Sequence, residues 1–154
     1  MKKFFKIFLI LLFTLVYNCG FQPILTNTVD SFSINIENSS GSKRVNKIIG
    51  DTISSFKDSN NIYNIILIST ETNNVISRTN KGDPNILEII VDLNYTVKKN
   101  NKILFEKSTS ERSTYNNISD KFELKKSKDI LVKNLAENLA QDIILTISSI
   151  NNDS

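Results

Sequence analysis

The chain has 154 residues, 40% hydrophobic and 23% charged, with one cysteine, no histidine and no tryptophan. The missing histidines and the single cysteine remove the commonest general base, the commonest zinc ligands and the usual nucleophile–base pairs. The formal charge of +3 resides entirely in Lys2, Lys3 and Lys6, because 19 basic residues less these three equal the 16 acidic ones; the neutral remainder lacks the basic excess that nucleic-acid binding needs.

The first segment, MKKFFKIFLILLFTLVYN, places those three lysines before an apolar run, residues 7–16, broken only by Thr14. The run has the length of a signal-peptide core and falls short of the roughly 20 apolar residues of a membrane span. It predicts an exported chain whose leader, residues 1–18, is removed. The junction Val16-Tyr17-Asn18-Cys19 resembles a bacterial lipoprotein cleavage site in its aliphatic residue and its cysteine. It departs from the pattern at Tyr17 and Asn18, which are larger than the usual small residues. On this reading Cys19 is the lipid attachment point, and each buried CH₂ of its acyl (palmitate-type) chains contributes about 0.8 kcal/mol to anchoring. The competing readings are a core cysteine and an uncleaved anchor helix. Gly20 is not the aspartate common in lipoproteins retained in the inner membrane, which points to the outer membrane. Removal of the leader leaves 154 − 18 = 136 residues, enough for one domain with a proper core.

Residues 19–30 read as a lipidated tether, with Pro23 discouraging regular structure. SFSINIE, residues 31–37, alternates and predicts a half-buried strand with Phe32, Ile34 and Ile36 on one face. NSSGS predicts a loop, with Ser42 as the N-cap of a helix that follows. Val45, Ile48, Ile49, Ile53 and Phe56 recur at helical spacing; Gly50 inside that pattern suits close approach to a sheet. YNIILISTE, residues 63–71, is rich in β-branched residues and predicts a central strand. Residues 75–79 either extend it or form a short separate strand before Gly82-Asp83-Pro84. Residues 86–99 form the clearest strand, with Leu87, Ile89, Val91, Leu93, Tyr95 and Val97 on one face. Asn100-Asn101 predicts a hairpin turn into residues 102–116, with Ile103 and Phe105 on one face and Leu104 on the other. Residues 118–150 predict a long amphipathic helix, regular from near Ser127, with Asp120 and Glu123 as a capping box. Its apolar stripe is Val132, Leu135, Ala136, Leu139, Ile143, Ile147 and Ile150; residues 151–154 are expected to fray.

The predicted fold class is α+β: two helices packed on one face of a small, mostly antiparallel four-stranded sheet in the order β-α-β-β-β-α, occupying residues 31–150 as a single domain. No phosphate loop, nucleophile motif or metal-ligand spacing occurs, so no catalytic, cofactor or metal site is expected and the chain is read as a non-enzyme. Glu106 and Glu111 share a strand and read as solvated charges rather than a catalytic pair. Arg78, Lys81, Lys107 and Arg112 come from neighbouring strand segments and are candidates for an anion-binding patch, arginine being suited to phosphate.

CGFQPIL at the cysteine junction resembles the mature start of lipopolysaccharide-assembly lipoproteins, the LptE family. Tyr95, Ser113-Thr114-Tyr115-Asn116, Phe122-Glu123, Asn134-Leu135-Ala136-Glu137 and Ile143 resemble the C-terminal half of its alphaproteobacterial branch. The final helix carries lysines where that branch usually has arginines. The resemblance implies two helices on a four-stranded sheet and a lipid-anchored, non-catalytic plug in the outer membrane. Its implied partners are a large LptD-like β-barrel, bound one to one, and lipopolysaccharide, with Arg78, Lys81 and Arg112 as candidate contacts. The alternative function is a lipoprotein adaptor of another envelope lipid-transport complex. A lipid-anchored enzyme would have to work without histidine.

Overall fold

The computed structural model describes residues 32–54 and 61–152. The leader, Cys19, the tether and the last two residues lie outside the described residues. The elements are β1 (Ser33–Gly41), α1 (Lys43–Ile53), β2 (Ile62–Arg78), β3 (Pro84–Lys99), β4 (Lys102–Asn116) and α2 (Lys121–Asn152). They make one four-stranded sheet in the order β1-β2-β3-β4, with β1 parallel to β2 and the other neighbours antiparallel. A parallel neighbour requires a crossover, and α1 supplies it. Both helices cover the same face, so the fold is the α+β arrangement that the pattern of elements predicts.

Alternation decides which side chains meet the helices. On β2, Tyr63, Ile65 and Leu67 are buried, and on β3, Ile89, Val91, Leu93, Tyr95 and Val97 are buried, while their neighbours point to the uncovered face. Val45, Ile49 and Ile53 of α1 and Val132, Leu135, Ala136, Leu139, Ala140, Ile143, Ile144 and Ile147 of α2 complete one continuous core. Each fully buried aliphatic side chain contributes about 1.5–3 kcal/mol. Ion pairs tie the layers together at the rim: Arg44 to Asp129 (2.8 Å) joins the helices, and Lys128 to Glu71 (3.1 Å) joins α2 to β2.

Three local expectations are corrected, and one open alternative is decided. NSSG is strand, not loop: after a bulge at Glu37, residues 38–41 pair with residues 66–69 of β2, and this pairing overrides the weak strand preference of Asn, Ser and Gly. Ser42 still caps α1, its Oγ accepting from the Val45 N–H (3.4 Å). Secondly, of the two alternatives for residues 75–79, β2 extends as one strand through Arg78, because β3 pairs with it from Asn64 to Arg78 despite irregularities at Ile76 and at Asn85 of β3. Thirdly, Ile103 does not share a face with Phe105. Val97 pairs with Phe105 and Lys98 with Ile103, so Leu104 is the extra residue of a bulge and Ile103 turns outward, 52% exposed. Lastly, α2 is regular from Lys121, not Ser127; Asp120 Oδ1 accepts from the N–H groups of Phe122 (2.9 Å) and Glu123 (3.2 Å). The helical stretch after Ser42 is described only to Ser54, and Phe56 lies outside the described residues. Gly50 does face the sheet closely, since a Cβ there would stand 3.2 Å from Ile36 Cδ1.

The long strands give the domain two ends, about 50 Å apart at 3.3 Å per residue. At one end are the start of β1, the start of β2 and the β3–β4 turn. At the other are the β2–β3 turn and the start of α2. The chain enters at the first of these.

Candidate functional site

The candidate anion-patch residues do not converge. Arg78 closes its own hairpin, donating from a guanidinium nitrogen to the Gly82 carbonyl (2.9 Å), and Lys81 is exposed in the same turn. Arg112 pairs with Ile90 of β3, whereas Arg78 pairs with Pro84; the six positions between these partners (90 − 84) span about 20 Å. Arg112 is exposed on the uncovered face, and Lys107 lies on the helix side of the same strand, paired with Asp142 (2.7 Å). Glu106 and Glu111 likewise fall on opposite faces, opposite Thr96 and Val91. An odd spacing along an unbulged stretch of strand separates faces, and this part of the arrangement was available from residue numbers alone.

A different cationic cluster does form. The first turns of α2 line a groove of about 510 Å³ with Phe122, Lys125, Lys126, Asp129, Ile130 and Lys133. Phe122 is 73% exposed and Ile130 51%. Lysines around exposed apolar side chains suit an amphipathic anion, with the ammonium groups against its charge and the rings and branches against its hydrocarbon. The sequence signal was present in KFELKKSKDILVK, where apolar residues fall outside the core stripe. The groove lies at the same end of the domain as Arg78 and Lys81.

The uncovered sheet face is mostly polar. Asn74, Thr70, Asn94, Ser108, Ser110, Arg112 and Thr114 are exposed on it. Ile66 and Ile68 with Asn94, Thr96, Glu106 and Ser108 border a shallow depression of about 320 Å³.

Among the described residues, one titratable group is strongly perturbed, and it lies at the core edge. Tyr95 OH lies 3.2 Å from Asp142 Oδ2 and 3.0 Å from Thr146 Oγ1, and Asp142 also receives Lys107. Burial pushes the Tyr95 pKa from 10.0 up to about 12; the hydrogen bond with Thr146 opposes the shift and the Asp142 charge adds to it. The folded state therefore favours the neutral phenol. Its contribution is complete below pH 10 and is lost as pH rises toward 12. Urea midpoints should fall more steeply between these values for the unmodified chain than for Tyr95→Phe. Parallel curves would show that Tyr95 does not titrate with folding.

Among the described residues, no three His, Cys, Asp or Glu side chains are grouped to hold a metal ion, and no helix is long and apolar enough to cross a membrane.

No family model and no curated protein matches the chain. Solved structures share its fold. The rare lipoprotein B of Shewanella oneidensis superimposes with a TM-score of 0.60 at 16% identity, over 80% of this chain and 97% of that one. Lipoprotein B of Nitrosomonas europaea gives 0.62 at 12% identity, over 86% and 93%. A minor lipoprotein of Acinetobacter baumannii gives 0.57 at 12% identity, over 79% and 92%.

Proposed function

We propose that this chain is an outer-membrane lipoprotein, anchored through acyl chains on Cys19, that sits as a non-catalytic plug in a large LptD-like β-barrel and assists insertion of lipopolysaccharide into the outer leaflet. The observation that carries the reading is a fold shared with lipoproteins over more than nine-tenths of their length, in a chain whose cysteine follows a leader-like segment. The residue chemistry supports it. A barrel lumen of the porin kind is polar, and the face of the sheet that carries no helix is rich in Asn, Ser and Thr. Lipid A combines phosphates with acyl chains, and the lysine-rimmed apolar groove on α2 matches both, with Arg78 and Lys81 at the same end. Arg112 would contact the same ligand only from the uncovered face.

Purification of the full-length protein from its own membranes in mild detergent tests this directly. The expected result is a near-equimolar outer-membrane barrel of much larger mass, with the chain itself weighing residues 19–154 plus acyl chains. Recovery with an inner-membrane transporter instead would replace the plug by an adaptor of another lipid-transport complex.

A further inference from the structure

The β3–β4 hairpin tip carries features that folding alone does not explain. Asn100 and Asn101 have φ of 51° and 62°, the left-handed pair that a tight two-residue hairpin turn needs. Lys99 and Lys102 pair across that turn, and like charges directly opposite one another destabilise a hairpin. Lys99 Nζ leans over the Tyr63 ring, 5.0 Å from its centroid, while Lys102 is exposed. Beside these lysines Ile103 is 52% exposed and Leu104 40%, and Ile62 at the start of β2, 53% exposed, lies at the same end of the sheet. The bulge at Leu104 is what turns Ile103 out of the core.

The position of this tip matters as much as its chemistry. It lies at the end of the sheet where β1 begins. Only 13 steps of chain separate Cys19 from Phe32 (32 − 19), a reach of at most about 45 Å. The β2–β3 turn stands about 50 Å further along the domain. An anchor at Cys19 therefore brings the β3–β4 tip within reach of the bilayer on a slack tether, whereas the other end reaches it only with the tether drawn back along the domain.

We propose that this tip is a second membrane contact, in which Ile103 and Leu104 enter the headgroup region of the leaflet that holds the anchor while Lys99 and Lys102 meet its anionic headgroups. Apolar side chains and cations on one short protrusion are the combination that binds such an interface. An anionic surface also relieves the repulsion between the paired lysines. The proposal rests on the reading of Cys19 as the lipid site and does not need the barrel.

The absence of tryptophan makes a clean test. Full-length Ile103→Trp, purified as the lipoprotein and reconstituted in phosphatidylethanolamine–phosphatidylglycerol vesicles containing brominated lipid, reports from the tip. Ile76→Trp, at an exposed position on β2 near the other end, is the reference. The expected result is that Ile103→Trp loses roughly half its emission and shifts to the blue, whereas Ile76→Trp does neither. Adding Lys99→Glu and Lys102→Glu should return the tip reporter to the reference level. Equal emission from the two reporters would overturn the proposal, and so would quenching of the tip that is unchanged by the two charge reversals. Loss of the barrel in the purification above, with quenching retained, would overturn the plug reading and leave the tip contact standing.

Discussion

Gly41→Ala is expected to destabilise the domain by about 3 kcal/mol or more, a large fraction of the stability of a chain this size. Gly41 has φ of +90°, and a Cβ built there would stand 1.8 Å from the Ser69 carbonyl oxygen and 2.9 Å from its carbon. Neither atom can yield cheaply. The Ser69 carbonyl accepts from the Ser42 N–H (3.0 Å), and the Ser69 hydroxyl, buried in the core, donates to Asn46 Oδ1 (2.7 Å). Asn46 in turn donates to the Ser40 carbonyl (2.9 Å). Moving Ser69 aside would open the last β1–β2 pair, disturb the residue that caps α1 and strand a buried hydroxyl. Gly82→Ala provides the comparison. Its φ is +88°, yet nothing lies within 4 Å of the new Cβ, so only conformational strain of about 1 kcal/mol is expected. Urea unfolding of both variants reads the difference. Equal losses would mean that the approach of β1 to Ser69 does not limit the fold.

That junction also shows where sequence reasoning stops. Period-two alternation made β3 legible to within two residues, since its buried face repeats an apolar side chain six times without a break. The same logic could not find the second half of β1, because Asn-Ser-Ser-Gly has neither alternation nor β-branching. Its strand conformation comes from β2, whose partner residues lie 28 positions away (66 − 38) on the far side of the crossover and offer a parallel edge. The bulge at Leu104 was hidden for a related reason. KILFEK carries three consecutive apolar residues with no alternation to set its register, and only the pairing of Val97 with Phe105 and of Lys98 with Ile103 shows that Phe105 faces the core while Ile103 and Leu104 do not. The anion patch failed on a simpler point. Residues gathered from adjacent strands share a face only when pairing and parity agree. Lys107 and Arg112 are five apart on one strand, and Arg78 is held by its own turn. What the sequence did contain, and composition obscured, was the lysine-flanked start of α2, where Phe122 and Ile130 fall off the core stripe.

Two substitutions on that one helix separate its roles, and the larger effect belongs to the core half. Ile143→Ala should cost about 3 kcal/mol, the sum of lost transfer energy and the cavity left behind. Ile143 has no solvent exposure and sits within the stripe from Val132 to Ile147, among the buried side chains of the sheet and both helices. The sheet holds β3 and β4 through hydrogen bonds, but α2 covers β4's inner face, where Phe105 and Tyr115 are only partly buried. Ile130→Ala removes the same atoms between three and four turns earlier and should cost less than about 0.5 kcal/mol, because half of that side chain already meets water. Thermal or urea unfolding measures both. A wide gap would mean that the first turns of α2 contribute little to the core and are free to serve as a surface, which the groove between Phe122 and Ile130 requires. Similar costs would mean that Ile130 is packed as tightly as Ile143, and the groove would then be part of the core's own boundary, with no ligand to receive.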